Sequence, residues 1–395
     1  MNRAINDKIL SNIYKVEKWI EDHNYKGYEP FDGLSSKFRQ LTLGNIFLMR
    51  ILLQLIRQSP VNLRPLFGVI PLDSTIGRGY MAWGYCHMLK ITGNEKYRKK
   101  IQNCLTWLIE NKSPGYKEFS WGKHFDFASR GGLYKSSEPI LIWTALIGHS
   151  FLDAYDLLKD EKYIEVSDSI CKWILKLPRN ITNTGFCMGY HYNDLNSSVH
   201  NSNMVGSAML SRMYKIKGEK EYLDVAESAM TFSCTRQLPN GAWWYGESEN
   251  NHWIDNFHTG YNLDALKCYI ENTGDTRYEK NLSIGFEYYK QNFFELSGRP
   301  KYYNTRTYPV DSQCISQSID TLANFSERDN EALALAKKVA GWAIDNMQDK
   351  KGFFYYRQYP LGIISKTPML HWAQATTYKA LSHLLQKNMK HTLRR

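Results

Sequence analysis

The sequence predicts an all-α fold, an (α/α)6 toroid in which six helical hairpins close into inner and outer rings. Three observations predict it: a short turn motif that recurs, a large aromatic residue ten positions after each turn's tyrosine, and a glycine-led aromatic loop after each of six helices. The repeats run through the 395 residues without a break, so 1–395 reads as one toroid domain, with a basic C-terminal tail at 387–395.

The turns come first. Thr92-Gly93-Asn94-Glu95-Lys96-Tyr97, Lys159-Asp160-Glu161-Lys162-Tyr163, Lys217-Gly218-Glu219-Lys220-Glu221-Tyr222 and Thr273-Gly274-Asp275-Thr276-Arg277-Tyr278 each read as one helix ending and the next beginning. Gly93, Gly218 and Gly274 supply a left-handed C-cap, with Asp160 in that place in the second copy. The acidic or polar residue that follows sits where a helix N-terminus favours negative charge. Ser326-Glu327-Arg328-Asp329-Asn330 is a degenerate fifth copy.

Ten residues after the tyrosines stand Trp107, Trp173, Phe232 and Tyr288, with Trp342 and Trp19 in similar places. They read as packing anchors near the ends of six outer helices. Each is followed by a loop opened by Gly27, Gly115, Gly185, Gly241, Gly298 or Gly352 and rich in Tyr, Trp and Phe. Six inner helices follow, near 75–91, 138–158, 201–216, 257–272, 311–325 and 369–386. Small residues mixed into their apolar pattern, as in Gly206-Ser207-Ala208-Met209-Leu210, suit helices buried on most sides. The first outer helix, about 6–22, lacks an inner partner before it, and the last inner helix lacks an outer one after it. Pairing those two closes the ring. A helix near 43–57 is an insertion close to that point.

Composition narrows the function. Hydrophobic residues make up 43% and aromatic residues 14%, including 27 Tyr and 11 Trp, enough for a large core and for rings that stack on ligand faces. The net charge of +11 suits an anionic partner, but it is spread along the chain without a nucleic-acid motif or basic stripe, so nucleic acid is not expected. Seven cysteines lie scattered without CxxC pairs, which fits free thiols in a reducing cytoplasm. The N-terminus lacks an apolar signal region and no apolar run reaches the roughly 18–20 residues of a membrane span. Cys86-His87 stands alone inside an apolar helix, so neither a metal nor a cofactor is expected.

Three stretches carry a family likeness: Gly27-Tyr28-Glu29-Pro30-Phe31-Asp32-Gly33-Leu34; Asn240-Gly241-Ala242-Trp243-Trp244-Tyr245-Gly246 with Ile254-Asp255-Asn256-Phe257-His258-Thr259-Gly260; and Phe353-Phe354-Tyr355-Tyr356-Arg357 with His371-Trp372-Ala373-Gln374-Ala375. Together with the repeat pattern they resemble the six-hairpin glycosidase-like superfamily over nearly the whole chain, and within it toroid proteins found with bacterial surface-polysaccharide biosynthesis. The resemblance implies a carbohydrate connection without a particular reaction. The Gly-His-x-x-Glu signature of the N-acylglucosamine 2-epimerases is absent. Gln237-Leu238-Pro239-Asn240-Gly241-Ala242-Trp243 fits a structural element of triterpene cyclases whose aspartate-rich acid motif is missing, which leaves terpenoid chemistry a distant alternative.

The strongest chemical cluster runs from Tyr245 to His258, on a loop entering an inner helix. Asp255, His258, Glu247, Asp73 and Asp32 are the candidate catalytic groups; Asp255 and Asp73 read equally well as helix N-caps. His258, in a first turn, could serve as a general base or pack as a hydrogen-bonded core histidine. Glycoside hydrolysis needs two carboxyls about 5 to 9.5 Å apart. A polysaccharide lyase or sugar epimerase needs a His or Tyr base, with Arg or Asn neutralising the sugar acid. Candidate substrate contacts are Trp121, Trp243, Trp244, Tyr245, Asn203, Arg78, Arg306, Tyr356, Arg357 and His371, and the expected partner is an oligosaccharide or polysaccharide, with an acidic one suiting the charge. A non-catalytic glycan-binding protein is the competing class.

Overall fold

The computed structural model describes residues 2–129 and 132–393. Thirteen α-helices are found among them: α1 (Asn2–Asp22), α2 (Ile46–Gln58), α3 (Thr75–Thr92), α4 (Lys96–Glu110), α5 (Leu141–Leu158), α6 (Glu161–Leu175), α7 (His200–Lys217), α8 (Lys220–Cys234), α9 (Asn256–Thr273), α10 (Glu279–Asn292), α11 (Ser312–Phe325), α12 (Asn330–Met347) and α13 (Thr376–Leu393). A π-helical turn, Leu370–Ala375, leads into α13. The only strands among the described residues are pairs or triples of two to four residues in the loops.

The chain divides into two compact units. The first holds residues 1–114, 121–138 and 308–395, and the second 115–120 and 139–307. In the second unit the hairpins α5/α6, α7/α8 and α9/α10 stand side by side, with α7 touching both α5 and α9. In the first unit α3/α4 and α11/α12 flank α13, and α13 takes α1 as its outer partner. The expected pairing of first and last helices is therefore found, and α12 also touches α1.

Local chemistry explains the boundaries. Gly93, Gly218 and Gly274 end α3, α7 and α9 in the left-handed conformation, each donating its N–H back four residues into the helix. In the remaining copy the assignment needs correcting. Lys159 takes the left-handed position at φ 55°, while Asp160 caps the next helix by accepting from the Lys162 N–H at 3.2 Å. One aspartate cannot end one helix and begin the next, and its side chain does more as an N-cap. Asp73 likewise is not the cap of α3. That role belongs to Ser74, whose Oγ accepts from the Gly77 N–H. α2 begins on an Asn45 cap, three residues later than the sequence suggested.

Small residues let the inner helices approach closely. A Cβ on Gly84 of α3 would lie 2.5 Å from the Tyr378 ring of α13. The loop glycines do the same for the outer helices: a Cβ at Gly241 would meet the Ile284 carbonyl oxygen of α10 at 2.4 Å, and one at Gly352 the Lys15 carbonyl oxygen of α1 at 2.5 Å. Both glycines have φ near 90–100°, closed to other residues without strain (92° and 101°). The equivalence of α1 to α10 at this contact repeats the ring logic within the first unit. Among the anchors, Trp19, Trp173, Phe232 and Tyr288 are buried, while Trp107 and Trp342 are half-buried. The expected basic tail is helical as far as Leu393, within α13, and its last two arginines lie outside the described residues.

Candidate functional site

In the second unit, polar side chains gather where the loop 241–255 enters α9. Asp255 caps that helix: its Oδ1 accepts from the His258 N–H at 3.0 Å. Its Oδ2 is used twice more, bonding His258 Nδ1 at 2.6 Å and accepting from Trp253 Nε1 at 3.1 Å. Asp255 is buried, and His258 keeps 20% of its side chain exposed. With Nδ1 held by a carboxylate, Nε2 is left as the acceptor nitrogen, and the contact fixes both tautomer and ring orientation. Tyr245 stacks on Trp253 at 4.5 Å and leans on His258 at 4.6 Å, both rings half-buried. Trp244 stacks on exposed His252 at 5.0 Å, and exposed Arg306 lies over Tyr303 at 4.5 Å.

Glu247 joins a second histidine in the same unit. Its Oε1 bonds His200 Nε2 at 2.8 Å, and Arg236 approaches its other oxygen at 3.6 Å. Burial pushes this carboxyl up, but the His200 hydrogen bond and the charges of His200, Arg236 and His252 outweigh it and hold Glu247 below the usual range. It is therefore an anion at neutral pH and unsuited to donate a proton. His200, the first residue of α7, is fully buried, its Nδ1 on Ser233 Oγ at 3.2 Å.

The first unit holds a denser polar centre. Glu29 accepts from the His371 backbone N–H at 3.2 Å and bonds His371 Nδ1 closely, with both side chains buried. Asp32 is locked by a two-point contact from Arg64 Nε at 2.8 and 3.0 Å and by the Glu29 N–H at 2.9 Å, while Arg64 Nη2 donates to the Glu29 carbonyl at 2.8 Å. Burial raises the Asp32 carboxyl above its ordinary value despite the opposing Arg64 charge. Lys123 lies over the faces of Phe127 and Phe31 at 3.6 and 4.5 Å, and Arg57 over Phe31 at 4.3 Å. Burial lowers Lys123 to about 7, against the pull of Glu29 and helped by the positive charge of Arg57. Nearby, Asp311 caps α11 and accepts from Trp372 Nε1 at 2.7 Å and from Arg357 Nε, and Arg357 reaches Gln58. At the start of α3, Arg78 pairs with Asp73 at 3.1 Å and lies over Tyr25 and Trp107 at 4.1 and 4.9 Å.

Several expected contact residues turn out to be packing. Trp121 and Trp243 are buried, their indole N–H groups spent on the carbonyls of Leu108 and Ser233 at 2.9 Å each, so neither offers a stacking face. Asn203 is fully buried, accepting from the Met188 N–H and donating to the Ala229 carbonyl. Tyr356 has no exposure, and Arg357 is committed to Asp311. Asp32 is a structural ion-pair partner. Within the second unit the fold does bring together Asp255, His258 and Tyr245, and within the first it adds His371 to a centre whose other members, Glu29, Lys123, Arg57 and Arg64, the sequence reading left out. Gln237 bonds the Gly241 and Asn281 carbonyls, the structural role expected of that element.

No protein-family model and no curated protein sequence matches this chain. Solved structures do. Cellobiose 2-epimerase from Spirochaeta thermophila superposes with a TM-score of 0.64 at 11% identity, over 81% of this chain and 87% of that one. A GH76 α-mannanase from Bacteroides thetaiotaomicron gives 0.61 at 15%, over 82% and 88%. A polysaccharide lyase gives 0.60 at 10%, over 98% of both chains. These likenesses show the fold, an (α/α)6 toroid, as the repeats predict.

Proposed function

We propose that this protein is a carbohydrate-active enzyme that moves a proton on a sugar carbon, in the manner of an epimerase or lyase, with His258 as the base. The observation that carries this reading is the Asp255–His258 pair, a one-fifth-exposed imidazole oriented by a buried carboxylate beside the rings of Tyr245 and Trp253. Asp255 is a positioning residue, holding Nε2 as the acceptor. Tyr245 and Trp244 supply faces on which a sugar can stack, and Arg306 a charge for an acidic group. Hydrolysis fits less well, because it needs a protonated carboxyl and Glu247 is held as an anion. The fold is shared with two sugar-isomerising or eliminating enzymes as well as a mannanase, which supports a saccharide substrate. The net charge of +11 favours an acidic one in surface-polysaccharide metabolism. Seven cysteines, none in a disulfide, support a cytoplasmic setting.

The test is isotope exchange in D2O with a panel of neutral and uronate-containing oligosaccharides, read by mass spectrometry. Deuterium incorporation at carbon that His258→Ala abolishes supports the reading. Cleavage to a product with a new carbon–carbon double bond, likewise lost in His258→Ala, supports it as a lyase; cleavage by water, with neither unsaturation nor carbon-bound deuterium, assigns a hydrolase instead, and saccharide binding without any product assigns a binding protein.

A further inference from the structure

Helix α2 and the chain around it form an outward apolar surface in the first unit that the polar centre does not use. One face of α2 packs inward through Met49, Leu53 and Ile56, with Met49 and Leu53 joining Leu34 and Ala128 in one cluster. The other face presents Phe47, Ile51 and Leu55 at 66%, 51% and 53% exposure, spaced four residues apart on one stripe. Leu43 and Leu66 before and after the helix are 88% and 71% exposed. Leu361 extends the set: it is 97% exposed at the tip of a loop whose Tyr359 hydroxyl donates to the Gln58 carbonyl at the end of α2. Scattered exposed leucines are ordinary, but this many on one insertion are not.

Charge indicates what covers the surface. Between Asp32 and Asp73 the chain has five Lys and Arg and no Asp or Glu. Arg57 and Arg64 turn inward to Phe31 and Asp32, and Arg39 pairs with Asp126, while half-exposed Arg50 lies beside the stripe on α2 and Lys37 is exposed on the segment that precedes the helix. A second copy of the chain would bring this acid-free segment against itself and oppose like charges. An anionic bilayer meets both needs, since its headgroups attract the cations and its acyl layer takes side chains that stand out from the surface without shape matching.

We propose that the α2 face is a docking surface for anionic lipid membranes, on which the protein binds peripherally. The C-terminal end of the same helix contacts the polar centre through half-buried Arg57 and exposed Gln58.

Cosedimentation of the full-length chain with vesicles tests this. The protein is expected to sediment with phosphatidylcholine–phosphatidylglycerol vesicles, and at least tenfold more weakly with phosphatidylcholine alone or in high salt. F47E/I51E/L55E should lose at least tenfold in partitioning, and so, more modestly, should the single change L361E, whose side chain makes too little contact to affect folding. L296E, 94% exposed in the second unit, should bind as the wild type does. The proposal is overturned if the wild type ignores anionic vesicles, or if L361E and the triple variant sediment unchanged. It is equally overturned if sedimentation velocity finds a dimer that the triple variant dissociates, which would give the surface to a second copy.

Discussion

Asp255 can be changed in ways that keep its helix cap while releasing His258, and the two losses differ in size. Alanine removes all three accepted hydrogen bonds. Loss of the cap costs about 1 kcal/mol, and leaving the Trp253 and His258 donors without an acceptor costs about 1 kcal/mol each, the lower end because His258 is partly exposed. The total is about 3 kcal/mol. Serine and asparagine are good caps, so Asp255→Ser and Asp255→Asn should cost only about 1–2 kcal/mol. An unfolding entropy of about 2.1 cal/mol/K per residue gives about 0.8 kcal/mol/K for 395 residues. Alanine should then lower Tm by about 4 °C and the capping variants by about 1–2 °C. Turnover should divide the series differently. An asparagine amide donates to Nδ1, which moves the ring proton to Nε2 and removes the base, for a loss on the order of 10²–10⁴-fold. Serine frees the ring and should lose about 10-fold or more. Thermal melts paired with rates of deuterium incorporation or of elimination measure both. If the rates simply follow Tm, or Asp255→Asn keeps activity within about fivefold, Asp255 is a cap and nothing more, and the case for His258 as an oriented base fails.

Three further outcomes follow from the same contacts. Asp32→Ala leaves Arg64 charged and buried, so it should cost about 3–5 kcal/mol and lower Tm by roughly 4–6 °C, with Asp32→Leu/Arg64→Met recovering most of it; a silent melt with lost turnover would make Asp32 a reacting group. Lys123 sits at about 7 against an ordinary 10.5, so between those values the unfolded chain binds a proton that the native group does not. Its contribution to stability therefore rises with pH across that window, and Lys123→Met should raise Tm at pH 6 and flatten the Tm–pH curve above 7. Gly241→Ala puts a Cβ 2.4 Å from the Ile284 carbonyl at a φ of 92° and should cost at least about 2 kcal/mol by urea unfolding.

The helices were legible because their ends are local chemistry. Gly93, Gly218 and Gly274 stop helices through φ alone, and the predicted inner spans fall within three residues of α3, α5, α7, α9 and α11. Where the reading slipped, a neighbour decided the outcome. Asp73 pairs with Lys26 in a short two-stranded ladder and turns to Arg78, leaving the cap to Ser74. The polar centre of the first unit was hidden because its members meet across long stretches of chain, Glu29 and His371 being 342 positions apart. Nothing periodic marks a lysine such as Lys123 for burial between two phenylalanines. Trp243 and Trp244 could not be told apart by type either; only the Ser233 carbonyl within reach of one indole selects which is core.

What the repeats do carry into the chemistry is a placement. His200 opens α7, His258 lies in the first turn of α9, and His371 lies in the π-helical turn that leads into α13. Each is bonded to a carboxylate from another stretch of loop or from the cap: Glu247, Asp255 and Glu29. Glu247, committed to His200, is held below the usual range and is a poor general acid. The other two carboxylates, Asp255 and Glu29, are likewise committed to an imidazole. Of the three histidines only His258 is both oriented by its partner and more than a tenth exposed. That orientation and exposure are what the proposed proton transfer by His258 rests on.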